Sequence, residues 1–230
     1  MDLGTFFFVY SDMKINGLLW IVLILASCGG GQQQLESKNG YAVIPVAKPG
    51  EAVATYAGGC FWAMQECMIE LKGVHKVISG YAGGTKANPS YEEVLGKTTG
   101  HAESVQVYYD PKEISYRQLS SAFFVAHDPT QFDRQGPDIG SDYRSMAFYR
   151  TEQERQILTE LVTQLHVSNG YTKAIATEIV PFQVIYPAEM EHQDYYPKNS
   201  WDSYIMNVSK PKVLKLRKQM PDLIKAEYLR

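Results

Sequence analysis

Between Ala52 and Trp201 the apolar and polar positions fall into alternating strand-like and helix-like patterns. "AVATYA" reads as a short strand running into Gly58 and Gly59, and Cys60, Met64, Cys67, Met68 and Leu71 follow at the spacing of one helix face. "GVHKVISGYAGG" predicts a second strand closed by glycines. In "AESVQVYYD", Glu103, Val105, Val107 and Tyr109 share one face and Ser104, Gln106 and Tyr108 the other, the period of two that marks a strand. Ser115 opens "SYRQ", a capping-box spelling, ahead of Leu119, Ala122, Phe123 and Ala126 at helical spacing. "TEQE" is a second such box, before a helix with Ile157, Leu158, Leu161, Val162 and Leu165 on its apolar face. "SMAFYR" and "AIATEIV" complete the predicted strands. "HDPTQFDRQGPDIGSDYR" has no period, and loops this long in compact domains are usually functional or disordered. The chain from "AIATEIV" to Trp201 is irregular and aromatic.

This pattern predicts one α/β domain over residues 52–210, with no internal repeat. Residues 211–230 read as a basic, partly amphipathic tail, expected as a solvated helix with membrane-surface contact as the alternative. At the other end, Lys14 precedes the apolar run "LLWIVLILA", Leu18 to Ala26. Nine residues fall short of the roughly 20 that span a bilayer. The run meets "LASC" and then glycines and glutamines, the pattern of a bacterial lipoprotein signal over 1–27, tidier from Met13 than from Met1. Cys28 would carry the lipid after cleavage, and residues 28–51 would form a flexible tether. An ordinary cleaved signal or a short core helix are the alternatives. Stable anchoring takes more than one acyl chain, which a lipoprotein modification supplies. The expectation is an exported, membrane-anchored protein on the periplasmic or cell-surface side.

Composition adds bounds. With 230 residues, 45% hydrophobic, the chain can bury one sizeable core. A net charge of -3 gives no sign of a nucleic-acid partner. The 16 Tyr, 9 Phe and 3 Trp are enough to line an aromatic pocket. Of three cysteines, a lipidated Cys28 leaves Cys60 and Cys67, so no disulfide framework is expected.

The residues that carry chemistry begin with Cys60. It follows a strand and two glycines at the start of a helix, where unpaired N–H groups lower a thiol's pKa and the glycines would leave the sulfur uncovered. A small buried hydrophobe is the alternative. Phe61 and Trp62 are core residues or a hydrophobic wall beside the thiol, suited to a methyl group. Glu103 begins the apolar face of its strand, where desolvation raises a carboxyl towards a neutral proton donor; a glutamate whose head reaches water is the duller reading. His101, Glu103, His127 and His192 could assemble a metal site, but no spacing matches a HExxH pair or a CxxC knuckle, and no metal is expected.

"GGCFWAMQE", "GVHKVISGYAGG", "NPSYEEV", "TGHAESVQVYYDP", "HDP", "DIGSDYRS" and "PAEMEHQDYY", in this order from about Tyr56 to Trp201, resemble the A-type peptide methionine sulfoxide reductases. The resemblance implies a two-layer α/β sandwich on a mixed sheet, with a ferredoxin-like core. It implies reduction of methionine-S-sulfoxide, in proteins or as the free amino acid, with no bound cofactor. Cys60 would attack the sulfoxide sulfur, Phe61 and Trp62 would hold the S-methyl group, and Glu103 would protonate the oxygen. Tyr91 and Tyr143 would hydrogen-bond that oxygen, Asp138 would position substrate and polarise the site, and His192 would stand at the pocket rim.

Two departures from the family pattern bear on turnover. Many relatives carry recycling cysteines near the C-terminus, others one three positions after the nucleophile; here Ala63 holds that place and no cysteine follows Cys67. Gln65 stands where a glutamate is usual. On an intact helix Cys60 and Cys67 are roughly 10 Å apart, beyond the 4.4–6.8 Å that a disulfide allows between Cα atoms. Cys67 is therefore expected to pack in the core, and the Cys60 sulfenic acid to be reduced by an external thiol such as thioredoxin, glutaredoxin or glutathione. A monomer is expected. The rival readings are a thiol peroxidase or thiol-exchange protein, and a lipid-anchored binding module without catalysis.

Overall fold

The structure, a computed structural model, describes residues 33–168, 171 and 173–229. The expected signal segment 1–27 and Cys28 lie outside the described residues. Among the described residues, ten strands and six α-helices follow in order. They are β1 (Ser37–Lys38), β2 (Tyr41–Ala42), β3 (Ala52–Gly58), α1 (Phe61–Ile69), β4 (Val74–Ala82), α2 (Tyr91–Leu95), β5 (Ala102–Tyr109) and α3 (Tyr116–Ala126). Then come β6 (Arg134–Gln135), β7 (Asp138–Ile139), β8 (Ser145–Tyr149), α4 (Glu152–Ser168), β9 (Glu178–Pro181), β10 (Ile185–Pro187), α5 (Tyr195–Lys198) and α6 (Lys210–Gln219).

Six strands form one sheet in the order β10-β4-β5-β3-β8-β9, antiparallel except for the β8–β9 pair. Its centre is β3-α1-β4-β5-α3-β8, with spatial order β4-β5-β3-β8, the ferredoxin-like arrangement that the family resemblance implied. The strand β5 lies between β4 and β3 and is buried along its whole length. One face of the sheet packs on helices: Tyr56 stacks on Phe123 of α3 with ring centroids 4.7 Å apart, and Val105, Val107, Met68 and Leu158 share that core.

The opposite face shows where the sequence reading falls short. Ile78 and Tyr108 point away from the helices, and burying two large side chains on that face needs a cover. The cover is the segment expected as a tether. Over residues 33–51 the chain lies against the sheet, with Ala42 buried and Leu35, Ile44 and Ala47 packed beside it. Gln33 fixes its start: the side-chain amide accepts from the Val77 N–H at 2.7 Å and donates to Val77 O and to Asp194 Oδ1. Tyr108 donates to Pro45 O at 2.7 Å.

The C-terminal segment also departs from expectation, because 211–230 is not a solvated tail. Val213 and Leu216 of α6 are fully buried in the helix-side core, as is Ile224 beyond it. Arg217 makes a two-pronged pair with the buried Glu70 at the C-cap of α1, at 2.7 and 2.6 Å. The domain thus runs past residue 210. Smaller differences concern caps and edges. The Ser115 capping box forms as predicted. At Thr151 the box closes one residue early, with Glu154 Oε2 accepting from the Arg150 N–H. "AIATEIV" is a strand only from Glu178, and β10 adds an unexpected edge beside β4.

Candidate active site

The strand β3 ends at Gly58, whose missing side chain leaves room for Met64 Cε: a Cβ there would lie 2.4 Å from it. Gly59 then takes φ +82°, in the left-handed region where glycine is favoured. These two turn the chain so that Cys60 is the N-cap of α1, one position earlier than the sequence suggested. The Trp62 backbone N–H favours the thiolate, as a helix start should. Yet Cys60 is 5% exposed, not uncovered. Burial is the largest influence, Glu103 adds like charge, and together they push the thiol well above its ordinary range. Desolvation therefore outweighs the helix terminus, and the resting group is a neutral thiol.

Glu103 is the second residue of β5, opposite Tyr81 of β4. Its Oε2 accepts from the Phe61 N–H at 2.9 Å, tying the carboxyl to the same helix start as Cys60. Burial at 3% exposure pushes its pKa up to about 8; the Phe61 bond opposes this, and Asp142 and Asp138 reinforce it. The carboxyl holds a proton at neutral pH, which removes its like charge from the neighbourhood of the sulfur.

Aromatic rings enclose the two groups. Phe61 lies 6.4 Å from Trp62 and 6.4 Å from Tyr91. His192 is 4.2 Å from Tyr91 and stacks on Trp62 at 6.0 Å. Burial lowers the His192 pKa and neither ring nitrogen has a hydrogen-bond partner among the described residues, so His192 is a neutral ring packed beside Trp62 and Tyr91. Tyr91 is held at the first residue of α2 by the Ser90–Glu93 capping box, and its N–H donates to Glu189 Oε1. Tyr143 closes a 3-10 turn over Ser141–Tyr143. Burial first, then Glu103, raises both phenols, which remain neutral donors. Asp138, on β7, accepts from the Tyr204 hydroxyl at 2.6 Å.

Tyr204 and Tyr195 escaped the sequence reading. Tyr195 stacks on Trp62 at 3.8 Å, and Tyr204 meets Trp62 edge-on at 5.7 Å while its hydroxyl favours the Cys60 thiolate. The available signal was the crowding of tyrosines in the aperiodic stretch before and after Trp201. Gln65 explains how that stretch is fixed: its amide donates to Val77 O at 2.9 Å and accepts from the Asp194 N–H at 2.8 Å.

Cys67 is fully buried on the unbroken helix α1, and both described cysteines are free thiols. Two of the three histidines considered as ligands are engaged elsewhere: His101 bonds to Gly84 N and Lys86 O, and His127 to Phe123 O and Ser145 Oγ. Among the described residues no group of three or more His, Cys, Asp or Glu could hold a metal.

Against known proteins, the family profile described as peptide methionine sulfoxide reductase matches residues 52–223, which includes the whole of α6. A peptide methionine sulfoxide reductase MsrA of Deinococcus radiodurans is 46% identical over 180 residues, 77% of this chain and 87% of the relative. One from Thermus thermophilus is 43% identical over 175 residues, 76% of this chain and 98% of the relative. The crystal structure of yeast Mxr1 in reduced form superimposes with a TM-score of 0.64 at 34% identity, covering 68% of this chain and 91% of Mxr1. Methionine sulfoxide reductase A of Corynebacterium diphtheriae gives 0.63 at 33% identity, covering 76% and 88%. With a buried thiol and a protonated carboxyl meeting at one helix start inside an aromatic box, the chain belongs to the A-type peptide methionine sulfoxide reductases.

Proposed function

We propose that this protein reduces methionine-S-sulfoxide, in proteins or as the free amino acid, at Cys60. The observation that carries the reading is the Phe61 N–H to Glu103 bond, which sets a carboxyl protonated at neutral pH beside the nucleophile's helix start. The Cys60 thiolate attacks the sulfoxide sulfur while Glu103 gives its proton to the oxygen, turning a poor leaving group into a good one. The sulfur–oxygen bond of the substrate breaks, methionine departs, and Cys60 keeps the oxygen as sulfenic acid, two electrons more oxidised. Tyr91 and Tyr143 supply neutral donors for the developing oxygen charge. Phe61 and Trp62 seat the methyl group, with His192 extending the wall. Asp138 acts by orienting Tyr204, on the support of their 2.6 Å bond.

An external thiol then condenses with the sulfenic acid, releasing water and leaving a mixed disulfide that a second thiol reduces. This reading rests on Cys67 lying fully buried on an intact helix. The lipoprotein-like signal supports a membrane anchor at Cys28 and repair of oxidised proteins outside the cytoplasm.

The test is turnover of methionine-S-sulfoxide against the R epimer with dithiothreitol, followed by intact mass after one equivalent of substrate. S-selective turnover and retention of one oxygen on Cys60 are expected. Equal rates on both epimers, or loss of two hydrogens, would overturn the assignment or the external-thiol step respectively.

A further inference from the structure

The last helix places a charge that the proposed chemistry has not used. The Lys212 ammonium, on α6, is shielded from solvent and has no hydrogen-bond partner among the described residues. It lies 3.7 Å from where a Cβ on Gly59 would stand, against the backbone of the residue before Cys60. Neighbouring lysines are treated differently. Lys215, one turn on, donates to His127 O; Lys225 donates to Ile69 O; Lys72 donates to Asp222 O. A buried cation without a partner is costly to keep, so its retention beside a reactive sulfur calls for a partner that forms during the reaction.

At rest Cys60 has neutral hydrogen-bonding neighbours but no charge to balance a cation. Burial opposes its ionisation, as does Glu103 of β5 once its own proton has left, while the helping groups are the Tyr204 hydroxyl, the Trp62 N–H and Lys212. The Phe61 N–H is already given to Glu103. The single Tyr204 proton is given to Asp138 and cannot serve the sulfur at the same time. The phenols of Tyr91, Tyr143 and Tyr195 also face the sulfur's charge, but burial keeps their protons on. The other titratable groups that feel Lys212 are Glu103, Cys67 and His127, and burial holds Cys67 a thiol and His127 neutral.

We propose that Lys212 is the charge-compensating residue for Cys60: an unpartnered ammonium, stored behind the thiol by α6, that pairs electrostatically with the thiolate when the proton leaves. It acts through Cys60 and not on the substrate, and it is a positioning residue. The inference rests on Cys60 being the nucleophile of the proposed reaction. It also assigns α6 a part in catalysis, in a chain whose C-terminal segment carries no cysteine.

The test compares the full-length wild type with K212M and K212R. Cys60 carbamidomethylation by iodoacetamide, located by peptide mass, is followed from pH 7 to 9. A thiol pKa raised by about one unit lowers the thiolate fraction about tenfold at every pH below it. K212M is expected to react about tenfold more slowly throughout and to lose turnover in parallel, while K212R stays within about threefold of wild type. K212M should also melt at a higher temperature, because an uncompensated buried charge is gone. Alkylation of K212M within about twofold of wild type, or equal losses in K212M and K212R, would overturn the proposal. If K212M does not fold, the helix needs the charge for structure and the proposal fails as well. Absence of sulfoxide turnover in wild type with the alkylation difference intact would instead sink the proposed function alone.

Discussion

At the scale of single residues, two opposite demands meet within one site. Glu103 has to hold a proton and Cys60 has to lose one, yet burial pushes both pKa values upward. For Glu103 the push serves the chemistry directly. As pH rises through about 8 the carboxyl ionises, so kcat/KM should fall on the alkaline side with an inflection near that value, read from a steady-state pH profile. Glu103→Gln keeps the shape and an acceptor for the Phe61 N–H but cannot donate a proton as an acid. Its kcat is expected to drop by about 10²-fold or more, in the range general acids contribute. Tyr204→Phe removes the donor to Asp138 and the hydroxyl beside the sulfur. A loss of about tenfold in kcat/KM is expected, corresponding to about 1.4 kcal/mol, the worth of a hydrogen bond to a charged group. A Tyr204→Phe variant with wild-type kcat/KM would remove Tyr204 from the mechanism.

At the scale of elements, legibility followed periodicity. The strands β3, β4, β5 and β8 and the helices α1, α3 and α4 were all readable, because each repeats its burial over several residues. The second face of the sheet is covered by isolated contacts, such as Gln33, Ala42 and Pro45, and no period announces them. The helix α6 was misread for a different reason. Its lysines and arginine suggest a solvated surface, but Val213 and Leu216 form a narrow buried stripe and Arg217 turns inward to Glu70. Leu216→Ala should therefore cost about 2–5 kcal/mol in urea unfolding, as for other buried leucines, whereas a solvated tail would cost almost nothing. The site was legible where motif and element coincide, at Cys60 on the β3–α1 junction and Glu103 on β5. Tyr195 and Tyr204 lie in aperiodic chain, and only folding brings them to Trp62. Cys67→Ala, on α1, tests the separation of the two thiols: stability should fall by roughly 1–3 kcal/mol, with dithiothreitol-dependent turnover kept.

At the scale of the whole molecule, stability and function are linked through protons. Glu66 and Glu103 both have pKa values pushed up to about 8, burial being the main cause in each; Glu70 adds to it at Glu66. The unfolded chain releases these protons near the ordinary value of 4.5. Between about pH 4.5 and 8 the folded state therefore binds more protons than the unfolded one, and these two groups make stability fall as pH rises. Urea midpoints measured across that window should decline, and Glu66→Gln should flatten part of the slope while leaving activity in place. The remaining consequence concerns geometry outside the domain. Gln33 is clamped to Val77 and to Asp194, the residue before Tyr195, only five steps along the chain from Cys28. Five residues reach at most about 18 Å when fully extended. On the proposal that Cys28 carries a lipid, this short span would hold the enzyme close to the bilayer, and its clientele would be set by altitude: oxidised methionines held within a shallow layer above the lipid, rather than any that diffuse past.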